Sequence, residues 1–238
     1  MKTVNDLKVK IFADGADKAG MLDMASKSYI KGLTTNPTLM RKAGIKSYKD
    51  FALDILSEVK DKPISFEVFS DDFNEMERQA LEIASWGENV YVKIPVMNTK
   101  QEPAYDLVER LANQGVKLNV TALMTNTQVK HVAERLNASI PSYISVFAGR
   151  VADTGIDPVP QMRDAVNFLK DMPNIELIWA SPRELLNIFQ ADDIGCHIIT
   201  VTNDVLKKLE LVGKDLNEYS LDTVKMFYND AKSAGFNI

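Results

Sequence analysis

Asn74-Glu-Met-Glu-Arg-Gln-Ala-Leu-Glu-Ile-Ala-Ser-Trp86, followed after a three-residue gap by Val90-Tyr-Val-Lys-Ile-Pro95, is the stretch whose reading decides the fold. In the first segment Met76, Ala80, Leu81, Ile83 and Ala84 fall on one side of a helix, with Glu75, Glu77, Arg78 and Glu82 mostly on the other. The second is a short apolar run rich in β-branched side chains, the composition of a strand covered on both faces. Runs of the same kind recur at 9–14, 31–36, 63–69, 117–123, 143–149, 176–181 and 197–201, with amphipathic segments between them. Eight such units closing on themselves predict an α/β fold, a (β/α)8 TIM barrel. A chain of 238 residues with 45% hydrophobic content suits one barrel, and no linker, repeat or low-complexity stretch divides it, so 1–238 is expected to be a single domain. The segment 220–234, with Leu221, Val224, Met226, Phe227 and Ala231, predicts an additional C-terminal helix that packs on the barrel or on another subunit.

Strands buried on both faces ought to be apolar, yet Asp14, Asn36, Glu67, Lys93, Asn119, Thr121 and Ser145 lie within or at the ends of the predicted strands. An unpartnered neutral polar group in such a place costs about 2–7 kcal/mol, so these residues need a common cause. Strand side chains alternate, which puts Asn119 with Thr121, Ser145 with Phe147, and Ser65 with Glu67 and Phe69 on shared faces. If those faces are the barrel interior, the polar groups converge near the C-terminal strand ends, where barrels of this kind carry their active sites.

Lys93 stands among β-branched neighbours that offer its ammonium no water, a setting that favours the neutral, nucleophilic amine. An amine of this kind condenses with a ketone to an iminium ion, an electron sink when a C–C bond breaks. An ion pair with Glu67 is the alternative reading, and on these two residues alone neither prevails. Arg150 and Arg183 follow the sixth and seventh runs. Loops in that part of a barrel commonly hold phosphate, which guanidinium groups bind through paired hydrogen bonds, although a lone arginine is more often a solvated surface charge.

The net charge of −5, from 28 Lys plus Arg against 33 Asp plus Glu, argues against a nucleic-acid or acidic-membrane binder. No apolar run approaches the roughly 20 residues that span a bilayer, and the N-terminus has no signal-peptide core. The single cysteine, Cys196, forms no intrachain disulfide, so a cytoplasmic protein is expected. His131, on an exposed helix, and His197, at the start of the last strand, have no metal-ligand spacing. Cys196 reads as a small buried hydrophobe, Trp86 and Trp179 as packing residues, and Asp192-Asp193 as a solvated loop pair.

The ordered set of motifs resembles the transaldolase family from Val9 to about Val205. Lys31-Gly-Leu-Thr-Thr-Asn-Pro-Thr-Leu39 resembles its second-strand signature and implies a substrate-binding Asn36; Ser65-Phe-Glu-Val68 implies Glu67 as the acid/base carboxylate. Val92-Lys-Ile-Pro95 is similar to the Schiff-base motif, with Lys93 as nucleophile, and Asn119-Val-Thr121 to the fifth-strand motif, whose threonine holds a catalytic water. Ile144-Ser-Val-Phe-Ala-Gly-Arg150 and Ala180-Ser-Pro-Arg183 resemble the phosphate motifs, implying Ser145, Arg150 and Arg183. On the first strand Asp14 is the better match to the family's aspartate, with Asp17 a competitor, and Pro182 stands where phenylalanine is common.

The resemblance implies transfer of a dihydroxyacetone unit between sugar phosphates, with no metal or organic cofactor, and a homo-oligomer held partly by the C-terminal helix. The small members of the family include fructose 6-phosphate aldolases, which use the same lysine. In that branch a glutamine resembles the position of Glu67, a tyrosine that of Phe147, and the asparagine at 119 is lacking, so all three positions favour transaldolase over aldolase. A sugar-phosphate-binding protein without catalysis is a third reading, opposed by the retention of a buried lysine beside Glu67 and Thr121.

Overall fold

The computed structural model describes residues 3–238. Over that range eight parallel strands pair in sequence order and close: β1 Lys10–Asp14, β2 Ile30–Thr34, β3 Ile64–Glu67, β4 Val90–Pro95, β5 Leu118–Leu123, β6 Ser142–Val146, β7 Ile175–Trp179 and β8 Ile198–Thr202. The helices are α1 Lys18–Ser26, α2 Pro37–Lys42, α3 Tyr48–Glu58, α4 Phe73–Ala84, α5 Tyr105–Asn113, α6 Asn126–Ala133, α7 Ala148–Asp153, α8 Pro158–Leu169, α9 Leu186–Asp193, α10 Asn203–Leu206 and α11 Leu216–Ser233. This is a (β/α)8 TIM barrel with an added C-terminal helix, as the alternation of apolar runs and amphipathic segments predicts. The short α2, α7 and α10 follow the C-terminal ends of β2, β6 and β8 and shape the mouth of the barrel.

Two cores hold the barrel. The larger lies between strands and helices and includes Val92, Ile94, Leu118 and Val120, all fully buried, at about 1.5–3 kcal/mol for each large aliphatic side chain removed from water. The smaller fills the interior from below with Phe12, Tyr91, Tyr143, Ile178 and Ile198. Tyr91 and Tyr143 stack with ring centroids 4.1 Å apart, and Phe12 meets Tyr143 edge-on at 5.8 Å. The Phe12 ring fills the space beside Gly32, where a Cβ would lie 2.6 Å from a ring carbon, so a larger residue at that strand position would have to displace the ring. Above this plug the inward positions turn polar.

Helix α4 starts at an Asp72 cap that accepts from the Glu75 amide at 2.9 Å and buries Met76, Ala80 and Ile83. Leu81, expected on that buried side, is 41% exposed; Gln79 is buried instead, and its Oε1 accepts from the amides of Phe69 and Ser70. Phe69 itself lies beyond β3 and is 63% exposed, so it does not share the interior face of Glu67. Asp192-Asp193 is no loop: the pair ends α9, and Asp192 Oδ1 accepts from the amides of Lys8 and Val9, tying down the entry to β1. Cys196 is buried, whereas β8 begins one residue after His197, whose Nδ1 accepts from the Leu177 amide. The C-terminal helix forms earlier than predicted, and none of its residues is buried; Val224 and Phe227 are 59% and 62% exposed. In this structure the helix therefore buries none of its apolar side chains against its own barrel.

Candidate active site

The strand register sets the site. Glu67 lies beside Lys93, Lys93 beside Asn119, and Asp14 beside both Thr34 and Thr202, so a ring of polar side chains forms one level above the tyrosine plug. They open into a cavity of about 630 Å³ at the C-terminal face of the barrel. All ten residues singled out from the sequence line it: Asp14, Asn36, Glu67, Lys93, Asn119, Thr121, Ser145, Phe147, Arg150 and Arg183.

Lys93 is only 6% exposed, and its Nζ lies 3.1 Å from Glu67 Oε2 while donating to the Thr35 carbonyl at 3.0 Å. The ion pair weighed against a nucleophilic role is thus present, and both partners face the cavity. Tyr48 of α3 fixes the backbone of Glu67: its hydroxyl donates to the Glu67 carbonyl at 2.8 Å and accepts from the Glu67 amide at 2.7 Å. Burial pushes the Tyr48 phenol up and keeps it protonated.

Asp14 accepts from the Thr34 hydroxyl at 2.8 Å, and Thr34 shares a 2.5 Å hydrogen bond with Thr200. Burial pushes the Asp14 carboxyl above the usual carboxylate range; the Lys93 charge and the Thr34 bond pull it back, and Glu67 adds to the rise. Asp17, the competitor for the first-strand role, is exposed, does not line the cavity, and caps α1 by accepting from the Gly20 amide at 2.7 Å. Asn36 lies two residues past β2 rather than in it, at the cap of α2, where its Oδ1 accepts from the Leu39 amide at 3.0 Å. That bond turns the side-chain NH2 group to other partners.

A buried chain crosses the floor: Ser145 donates to Asn119 Oδ1 at 2.7 Å, and Asn119 Nδ2 donates to Ser65 Oγ at 3.0 Å. Ser145 was expected at a phosphate, but in this arrangement its proton is committed to Asn119. Thr121 is buried, and its hydroxyl has no hydrogen-bond partner among the described residues. The next residue, Ala122, has φ +64°, and the β5–β6 register shifts there, a bulge that re-aims the strand beside the cavity.

Phe147 lies just past β6 as the cap residue of α7, packs against the interior aromatic cluster, and carries the Arg150 guanidinium 5.5 Å from its ring centre. Arg183 is exposed yet paired: its Nε donates to Asp153 Oδ1 at 2.9 Å and its Nη2 to Asp153 Oδ2. Among the described residues no group of three or more His, Cys, Asp or Glu side chains is arranged for a metal ion.

Several lining residues escaped the sequence reading. Thr34, Thr200 and Thr202 are polar residues on strands, and the alternation of Thr200 with Thr202 is the same signal that exposed Asn119 and Thr121. Lys42 on α2 also lines the cavity, and no periodicity in the sequence distinguishes it from a surface lysine.

Comparison with known proteins identifies the family. The family model described as Transaldolase/Fructose-6-phosphate aldolase matches residues 11–238. A probable transaldolase from Thermoanaerobacter sp. (strain X514) is 32% identical over 233 residues, covering 97% of this chain and all of the relative. A second probable transaldolase, from Sulfurihydrogenibium sp. (strain YO3AOP1), is 34% identical and covers 84% of this chain and 88% of its own. Among solved structures, one titled "Native KDPGal structure" superposes with a TM-score of 0.52 over 84% of each chain at 11% identity, a likeness of fold alone. With the match running from β1 to the last residue, the chain belongs to the transaldolase/fructose-6-phosphate aldolase family.

Proposed function

We propose that this protein is a transaldolase that carries a dihydroxyacetone unit between sugar phosphates as a Schiff base on Lys93. One observation carries the reading most: a buried lysine whose Nζ is 3.1 Å from a carboxylate, at the floor of a cavity rimmed by two arginines. Glu67 takes the Lys93 proton, and the freed amine adds to C2 of a ketose phosphate. Water held by Glu67 and Thr121 relays the protons as the carbinolamine dehydrates to the iminium. Asp14, whose carboxyl burial makes more basic, removes the C4 hydroxyl proton; the C3–C4 electrons flow into the iminium, and the aldose phosphate leaves. The remaining enamine, its hydroxyls held by Asn36 and Asn119, adds to the aldehyde of a second aldose phosphate. Arg150 and Arg183 hold the phosphate of each partner in turn.

The working pair is fructose 6-phosphate with erythrose 4-phosphate, giving sedoheptulose 7-phosphate and glyceraldehyde 3-phosphate, a pentose phosphate pathway exchange in the cytoplasm. The unburied apolar side of α11 is read as the contact with another subunit of a homo-oligomer. Borohydride reduction in the presence of fructose 6-phosphate tests the chemistry, because only an iminium is trapped as a stable secondary amine. Lys93→Met, of nearly the same volume, is expected to fold and to lose trapping and turnover together. Trapping that survives this substitution places the covalent intermediate elsewhere.

A further inference from the structure

Asp153 is the last residue of α7, lies outside the cavity lining, and is 52% exposed. A carboxylate there opposes the helix dipole, whose C-terminal end is negative, and an exposed ion pair adds only about 0–1 kcal/mol to stability. The helix dipole therefore does not favour a carboxylate at this place, and the geometry of the pair is specific. Asp153 takes the Nε and one Nη2 proton of Arg183. Of the five N–H donors of a guanidinium, this leaves both protons of Nη1 and the second of Nη2, the end-on edge.

The rest of Arg183 is pinned as well. Its amide donates to Asn187 Oδ1 at 2.8 Å, and Pro182 before it restricts the backbone. The loop in turn abuts α7 so closely that a Cβ on Gly149 would lie 1.6 Å from the Ser181 carbonyl oxygen. Arg150 sits on that same short helix, three residues before Asp153.

We propose that Asp153 is a positioning residue that aims the end-on edge of Arg183 into the cavity and fixes it relative to Arg150, so that the two arginines form one preorganised cradle for a phosphoryl group. This rests on the reading of Arg183 as a phosphate ligand, and the test separates the two ideas. Binding of inorganic phosphate to the full-length protein is measured by calorimetry for the native chain, Arg183→Ala, Asp153→Ala and Asp153→Asn. KM is measured in parallel for glyceraldehyde 3-phosphate and for unphosphorylated glyceraldehyde as acceptors. The expected result is that Asp153→Ala weakens phosphate binding about tenfold and lowers the preference for the phosphorylated acceptor by a similar factor, the size of one charge-assisted contact. Asp153→Asn, which keeps one acceptor oxygen for Nε, is expected to recover part of the loss. If Arg183→Ala leaves phosphate binding unchanged, the phosphate reading itself falls. If Arg183→Ala weakens binding but Asp153→Ala leaves it unchanged or tightens it, the phosphate site stands and the positioning role is overturned.

Discussion

A single hydroxyl, that of Tyr48, closes on both backbone polar groups of Glu67, donating at 2.8 Å and accepting at 2.7 Å. Strand β3 pairs with β2 only at Ile64 and Ser65, so by Glu67 that neighbour has ended and the phenol stands in for the missing strand. Tyr48→Phe leaves a half-buried N–H and C=O unpaired. It is expected to cost about 1–3 kcal/mol in denaturant unfolding and to lower kcat more than it raises KM, because the carboxylate beside Lys93 loses its anchor. An unchanged denaturation midpoint together with unchanged kcat would show that Glu67 needs no such anchor.

Asp14 supports a pH prediction. Its folded-state pKa is raised, chiefly by burial, so the folded protein binds the proton more tightly than the unfolded chain does. The sign follows: the stability associated with that proton is present below the unfolded carboxylate range and is lost as pH rises through the folded value. Once pH has risen through the folded value, ionising the buried Asp14 is a cost, and in that range Asp14→Asn, which can still accept from Thr34, is expected to raise Tm by a few degrees while abolishing turnover. The gain should vanish in acid, where the native carboxyl is protonated; a gain that persists there would assign it to another cause.

Gly149 and Ser181 make a contact with no room for a side chain, since a Cβ would reach 1.6 Å from a backbone oxygen. Gly149→Ala forces the loop and α7 apart, with an expected loss of about 1–3 kcal/mol in stability, the usual size of overpacking. Because the same contact sets the spacing of Arg150 and Arg183, phosphorylated substrates should lose more affinity than unphosphorylated ones. Equal losses for both would confine the effect to folding.

Phe147 bears on the choice between transfer and release. Its ring lines the cavity and offers no hydroxyl to a water molecule. Phe147→Tyr adds one donor and acceptor, and is expected to increase release of free dihydroxyacetone relative to transfer. The native protein is expected to consume fructose 6-phosphate rapidly only when erythrose 4-phosphate is present. Equal release with and without the acceptor would favour the aldolase reading.

The barrel was legible in the sequence because every strand is a compact apolar run, and the site because polar groups interrupt those runs on one face. Where a strand gives way to a helix the pattern carries less: Asn36 and Phe147 sit in apolar runs that read as strand, whereas each is the residue that caps the helix after it, α2 or α7. Their polar or aromatic character is the same in either setting. Tyr48 and Asp153 left no trace because each acts across the fold, 19 residues from Glu67 and 30 from Arg183, through contacts that no local periodicity encodes. Leu81 and Gln79 exchanged places for a related reason, since a loop amide needing an acceptor outweighed the apolar preference of the helix face.

The stacked rings of Tyr91 and Tyr143, with Phe12 against them, make the barrel a vessel with a floor. Whatever enters from the C-terminal face must leave by the same door. On the proposed transfer reaction, a first aldose would have to clear the mouth before a second approached the fragment left behind, so the order of arrivals and departures would be imposed by walls rather than by affinity. In initial-rate terms the expected scheme is ping-pong, with double-reciprocal lines that run parallel as the second substrate is varied.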